Sequence, residues 1–217
     1  MNEFLETRSQ IDKSTEWLKE NGYVVHPISA KDWELKIITE AIGDGDLLDM
    51  GADGSRVLHN AIIKGVKGKK VGIDLAEVYG DSKAEGAEYF HGDLMKTSFD
   101  DGSFDTIVSQ SVIEHEVDLS KFVKEVARLL RKNGRLIVSF DYWPERVDTT
   151  GLTLYGLKWN ILNQADVLYL IEVAQFAGLI LHNSIDWHTQ DAVINDKYCS
   201  PFEGISYTFG ILEFTKN

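Results

Sequence analysis

Short apolar runs alternate along this chain with stretches of helical periodicity. Apolar residues recur at helical spacing over 3–20, where Phe4, Leu5, Ile11, Trp17 and Leu18 stand among charges, and again over 31–42. The runs 46–50, 69–74, 88–93, 104–109 and 135–140 are too short for helices and predict buried strands. Helices are predicted over 54–64, 119–132 and 164–177. A sixth strand is predicted over 179–185, and a moderately alternating segment at 207–214 predicts a last one, antiparallel to its neighbours. Strands that alternate with helices of this length imply an α/β sandwich, a mostly parallel sheet with helices on both faces. No repeat, low-complexity segment or linker divides residues 1–217, which read as a single domain opened by a helical cap over 1–45.

Three of the predicted strands end in an acid, Asp49, Asp74 and Asp93. In an open parallel sheet, ligands bind beyond the carboxyl ends of the strands. The first acid leads into Gly51-Ala52-Asp53-Gly54, a turn whose glycines suit close backbone approach or positive φ. Asp74, one strand further on, is placed to accept from both hydroxyls of a ribose. Asp93 can accept from an adenine amino group or simply start a turn. After the fourth strand come Ser109, Gln110 and Ser111, candidates for cofactor contact. Glu114 and His115 follow them, as helix-capping residues or a catalytic pair.

Charge narrows the partners. The net charge of −13 disfavours a polyanion, so no nucleic-acid partner is expected, and the basic cluster Lys64, Lys67, Lys69 and Lys70 reads as solvated surface. No apolar run approaches the roughly 20 residues of a membrane span, and no membrane partner is expected. The N-terminus lacks the basic start and apolar core of a signal peptide. With Cys199 as the single cysteine, a cytoplasmic setting is expected. No metal-ligand set is read, and the oligomeric state stays open, a homodimer included.

Five pieces in order carry a resemblance: LLDMGADGS at 47–55, VGIDL at 71–75, YFHGDL at 89–94, the segment 98–115, and VKEVARLLRKNGRLIVS at 123–139. Together they resemble the class I S-adenosylmethionine-dependent methyltransferases of Rossmann-like type. The resemblance implies a three-layer sandwich around a seven-stranded sheet ordered 3-2-1-4-5-7-6, with strand seven antiparallel. It makes 46–141 the cofactor-binding half and 142–217 the acceptor side. It implies that S-adenosylmethionine lies over Asp49, Gly51, Ala52 and Asp53. Asp74 and Leu75 would face the ribose, Asp93 and Leu94 the adenine, and Ser109, Gln110 and Ser111 the methyl-donor end. The GxxxS form of the turn, Gly51 to Ser55, and the closing FEGISYTFGILEF are similar to small enzymes associated with sugar or surface-polysaccharide genes.

The turn departs from the family pattern, with Asp53 and Ser55 where glycines are expected. Asp53 would repel a pyrophosphate with no replacement cation in the turn, which argues against a dinucleotide dehydrogenase. A methyl group on a sulfonium is already activated, so the protein must chiefly align an acceptor and exclude water. Where a base is needed, His188 is the first candidate and Asp141 the second, both beyond strand ends where the acceptor enters; Tyr155 and Trp159 are candidate pocket walls. The expected activity is methyl transfer to oxygen or nitrogen of a small molecule, such as a sugar or polysaccharide precursor. The alternative is a non-catalytic S-adenosylmethionine- or nucleoside-binding regulator on the same fold.

Overall fold

A computed structural model describes all residues except 1, 53, 55, 77–82 and 188–190. In chain order the elements are β1 (Asn2–Phe4), α1 (Arg8–Glu20), a 3-10 turn (Ser29–Lys31), α2 (Asp32–Ala41), β2 (Leu47–Met50), α3 (Arg56–Ile63), β3 (Lys70–Asp74), β4 (Glu88–His91), β5 (Phe104–Gln110), α4 (Leu119–Leu129) and β6 (Leu130–Tyr142). A small hairpin, β7 (Thr153–Leu154) and β8 (Leu157–Lys158), precedes α5 (Gln164–Phe176), β9 (Leu179–Leu181) and β10 (Thr208–Lys216).

The sheet runs β4-β3-β2-β5-β6-β10, with β9 on the far edge of β10. Pairs among β4, β3, β2, β5 and β6 are parallel, and β10 is antiparallel to β6 and to β9. This is the order 3-2-1-4-5-7-6 with one addition. β1 lies beside β10, Phe4 opposite Gly210, sharing that edge with β9. The helix predicted from residue 3 therefore begins only at Arg8. Phe4 leaves the helical pattern because its ring stacks on Tyr142 at 4.2 Å and is buried there.

Side chains alternate across each strand, so the sheet divides the core in two. On one face Leu48, Ile107, Leu136 and Val138 pack with Phe122, Val126 and Leu170 of α4 and α5. On the other Leu47, Val108 and Ile137 pack with Leu35, Ile38 and Leu58 of α2 and α3 and with Leu18 of α1. α4 ends at Leu129 rather than at 132. The chain re-enters the sheet at once, pairing Leu130 with Phe104, and bulges over 131–134, where Asn133 takes φ 63°. Arg131 spans that bulge to Asp46 and Asp105. The sixth strand stops at Leu181 instead of 185. Two members of the basic cluster also have structural work. Lys64 donates to the carbonyls of Thr39, Glu40 and Ile42 at the end of α2, and Lys70 to that of Val66.

Candidate functional site

The carboxyl ends of β2 and β5 open on a cleft lined by His26, Lys31, Asp49, Gly51, Arg56, Val57 and Gln110. Two of these come from β2 and its turn, two from α3, one from β5, and two from the N-terminal cap. Gly51 has φ 89°, a conformation that side chains other than glycine rarely adopt. A Cβ there would collide with the Val112 side chain, so the close approach that glycine permits is to the loop after β5. The amides of Gly51 and Ala52 both donate to the carbonyl of Ile73, at 2.9 and 3.2 Å, which holds the turn against β3.

The cleft carries both signs of charge. Asp49 is almost wholly buried, while Arg56, which donates to the Gly54 carbonyl, and Lys31 bring cations. Sequence reasoning found no cation in the turn itself. Arg56 starts the next helix, and Lys31 arrives from the cap. His26 accepts from the Ile28 amide at 3.0 Å, and its own amide donates to Asp32 at 2.7 Å. Burial, then the nearby Lys31 charge, push its imidazole down to about 4, so it is neutral near pH 7. A pocket with an acid and two cations suits the zwitterionic amino-acid end of S-adenosylmethionine, and the donor set thus fits that cofactor.

The other predicted cofactor residues are only partly gathered there. Asp74 ends β3, its carboxylate accepting from the Ala76 amide at 2.8 Å. Leu75 is exposed and its carbonyl meets Nε2 of His91 at 2.9 Å. Asp93 accepts from the Met95 amide at 2.8 Å, as a turn-starting aspartate does, and Leu94 is buried in the core. Gln110 lines the cleft. Ser109 has the opposite alternation on β5 and is fully buried, its hydroxyl without a hydrogen-bond partner among the described residues. Ala52 is buried against Gly72 of β3 rather than in the cleft. Asp53 and His188 lie outside the described residues.

Beyond the cleft wall lies a polar cluster that the motif order does not reveal. Lys31 donates to the Ser111 hydroxyl at 2.5 Å and to Asp141 at 3.2 Å, and it lies 3.3 Å from Glu34. Ser111 donates to Glu34 at 2.9 Å, and the Ser139 hydroxyl donates to the same carboxyl. Trp159 is buried rather than forming an open wall, and its indole N–H donates to Asp141 at 2.7 Å. Tyr155, by contrast, is exposed at the hairpin tip, edge-on to His115 at 5.7 Å. Burial works against the Lys31 charge, but Asp141, Glu34 and Glu114 together overcome it and hold the ammonium protonated. Burial raises the Glu34 carboxyl above the usual range despite Lys31, and raises Glu114 further, with Asp141 adding repulsion. Ser111 sits at φ 52°, which turns its hydroxyl into this cluster.

Residues 48–138 match a family model described as a methyltransferase domain. The chain is similar to the arsenite methyltransferase of Aquipseudomonas alcaligenes, 32% identical over 149 residues, which are 60% of this chain and 43% of that protein. It spans under half the length of three of the curated relatives that it matches. Among solved structures it is similar to a putative sarcosine dimethylglycine methyltransferase from Galdieria sulphuraria, with TM-score 0.62 and 16% identity, covering 95% of this chain and 98% of that one. The geranyl diphosphate C-methyltransferase of Streptomyces coelicolor, solved with S-adenosyl-L-homocysteine, gives TM-score 0.64 at 13% identity over 97% and 99% of the two chains. At such identities the structural likeness speaks for the fold, and the matched segment contains the β2 turn, Asp74 and the strand end before Ser111. Residues 48–138 thus match the methyltransferase-domain model, on a fold shared with these solved methyltransferases.

Proposed function

We propose that this protein transfers a methyl group from S-adenosylmethionine to a nitrogen or oxygen of a small molecule. The observation that carries the reading is the cleft at the ends of β2 and β5, where Asp49, Gly51, Arg56 and Lys31 converge inside the segment that matches the methyltransferase family and the cap that covers it. When bound, the cofactor supplies an activated methyl group on a sulfonium. In this reading Arg56 meets its carboxylate and Asp49 its ammonium, while Asp74, at the tip of β3, takes the ribose hydroxyls. Leu94 and the turn at Asp93 flank the adenine, and Gln110 stands nearest the methyl-donor end.

The chain's own residues then align the acceptor and keep water away. Asp141 stands at the acceptor end of β6, but one oxygen faces Lys31 and the other takes the Trp159 N–H. Its role in this reading is to orient and charge-balance Lys31, not to remove a proton. The lone, exposed Cys199 suits a reducing compartment, and on it we place the protein in the cytoplasm. A sugar or polysaccharide precursor remains one acceptor class to test, resting on the likeness of the turn at 51–55 and of the closing segment 202–214.

Calorimetry with S-adenosylmethionine and S-adenosylhomocysteine tests the reading. Both should bind in the micromolar range, and Asp74→Ala should weaken both by about 10- to 100-fold, the loss of one or two charge-assisted hydrogen bonds. Folded protein that binds neither ligand at millimolar concentration sinks the proposal. An unchanged affinity in Asp74→Ala removes only the ribose assignment.

A further inference from the structure

Among the described residues, the cluster behind the cleft holds three buried carboxyl groups, Glu34, Glu114 and Asp141, against a single ammonium, that of Lys31. Two of the three acids are served. Glu34 accepts from Ser111 and Ser139, and Asp141 from Lys31 and Trp159. Glu114 is not. It is 1% exposed, and both its carboxyl oxygens are buried with no hydrogen bond from any other residue among those described. Its backbone fixes it beside the others, because its carbonyl accepts from the Asn160 amide and His115 pairs with Trp159, whose ring reaches Asp141. A buried carboxyl without donors is costly, and in a folded protein such a group calls for a partner.

The surroundings select the kind of partner. An anion would meet Asp141 and the other acids. A neutral hydroxyl would offer one donor and no charge. An ammonium offers up to three donors and the missing positive charge. The seat already stabilises one such group, since Lys31 Nζ lies 4.0 Å from the centroid of the Phe209 ring, with Tyr207 stacked edge-on between Phe209 and Trp159. Lys31 also lines the cleft, and its side chain is 16% exposed, so the long flexible stem that closes the seat also marks the way into it.

We propose that the acceptor is an amine, that its ammonium group docks between Asp141 and Glu114 as Lys31 swings aside, and that Glu114 is the base that takes its proton. This rests on the methyltransferase reading and narrows it to nitrogen. A proton passes from the acceptor's ammonium to a Glu114 oxygen. The freed nitrogen pair then forms the bond to the methyl carbon as the carbon–sulfur bond of S-adenosylmethionine breaks, its electrons staying on sulfur. The positive charge moves from sulfur to the methylated nitrogen. Burial makes the Glu114 carboxylate a stronger base than an exposed one, as this step requires.

Matched pairs that share a skeleton test the proposal: benzylamine with benzyl alcohol, phenethylamine with 2-phenylethanol, glucosamine with glucose. Two readouts are used, release of S-adenosylhomocysteine and calorimetric binding of each compound to the S-adenosylhomocysteine complex. For at least one pair the amine should exceed its alcohol by about 10-fold or more in both. Glu114→Gln should lower amine turnover by about 100-fold and amine binding by about 10-fold, with S-adenosylhomocysteine affinity held within about 3-fold. Alcohols used as well as amines, a Glu114→Gln protein that binds and methylates amines normally, or no amine binding and no turnover in a protein that binds S-adenosylhomocysteine would each overturn it. If the wild type fails to bind S-adenosylhomocysteine, the methyltransferase reading falls first and the amine proposal with it. If Glu114→Gln does not fold, the amine-to-alcohol ratio in the wild type decides alone.

Discussion

Glu114 shows how one buried side chain ties stability to pH. Its folded carboxyl is raised above the ordinary 4.5, first by burial and then by Asp141. Above pH 4.5 the unfolded chain therefore releases this proton before the folded one does, so the group costs stability progressively as pH rises through its folded value. His26 acts in the opposite sense. Its imidazole is lowered to about 4, so the unfolded chain binds its proton first and stability falls as pH drops from 6.5 towards 4. The two contributions oppose each other between pH 4.5 and 6.5, and a wild-type titration alone would blur them. The difference between Glu114→Gln and wild type cancels the histidine. Urea denaturation should show the variant gaining on the wild type from pH 5 to pH 8; a gap that does not change with pH contradicts this account.

At the scale of elements, local signals located most helices and strands to within a few residues, and the failures share one cause. The first residues carry Phe4 and Leu5 in a pattern that suits a helix, yet β1 pairs with β10 and Leu5 donates its amide to Phe209. A partner more than 200 residues away overrides three residues of propensity, because the edge of β10 offers backbone groups and a buried aromatic slot beside Tyr142. Phe4→Ala should lower unfolding stability by about 3 kcal/mol, the usual cost of emptying such a slot. A loss below about 1 kcal/mol in urea denaturation would mean that β1 adds little to the sheet. The end of α4 makes the same point. Asn133-Gly134 is a sound helix-stop signal, but the helix had already ended, and Asn133 serves the bulge in β6 instead. The start of α4 was locally written and is met, with Asp118 accepting from the amides of Ser120 and Lys121.

At the scale of the molecule, the N-terminal segment reaches the cleft through His26 and Lys31. Thr15 of α1 donates to Asp32 at 2.6 Å, and Asp32 also accepts from the His26 amide, so Asp32 ties α1, the loop and the start of α2 together. Lys31 and Glu34 carry that unit onto Ser111, Ser139 and Asp141 at the ends of β5 and β6. Binding of S-adenosylhomocysteine should therefore slow amide hydrogen exchange over residues 23–34 as well as over 47–56. Protection confined to 47–56 would leave the cap a passive cover.

The sequence alone settled the order of strands and helices, the acids at the strand ends and the glycine turn after β2. These are short-range patterns, in which apolar periodicity and turn chemistry act within a few residues. From them came the sheet, the resemblance to methyltransferases and the cleft. Tertiary structure decided which charges face that cleft and which hide behind it. Lys31 and Glu34 gave no motif, because their partners lie 77 to 110 residues away along the chain. Ser109 and Gln110, adjacent in sequence, were separated by the pleat into core and cleft. Glu114 was legible only as an acid beside a histidine; its burial, with both oxygens unserved by any other described residue, exists only once β5, β6 and the Trp159 segment have packed together.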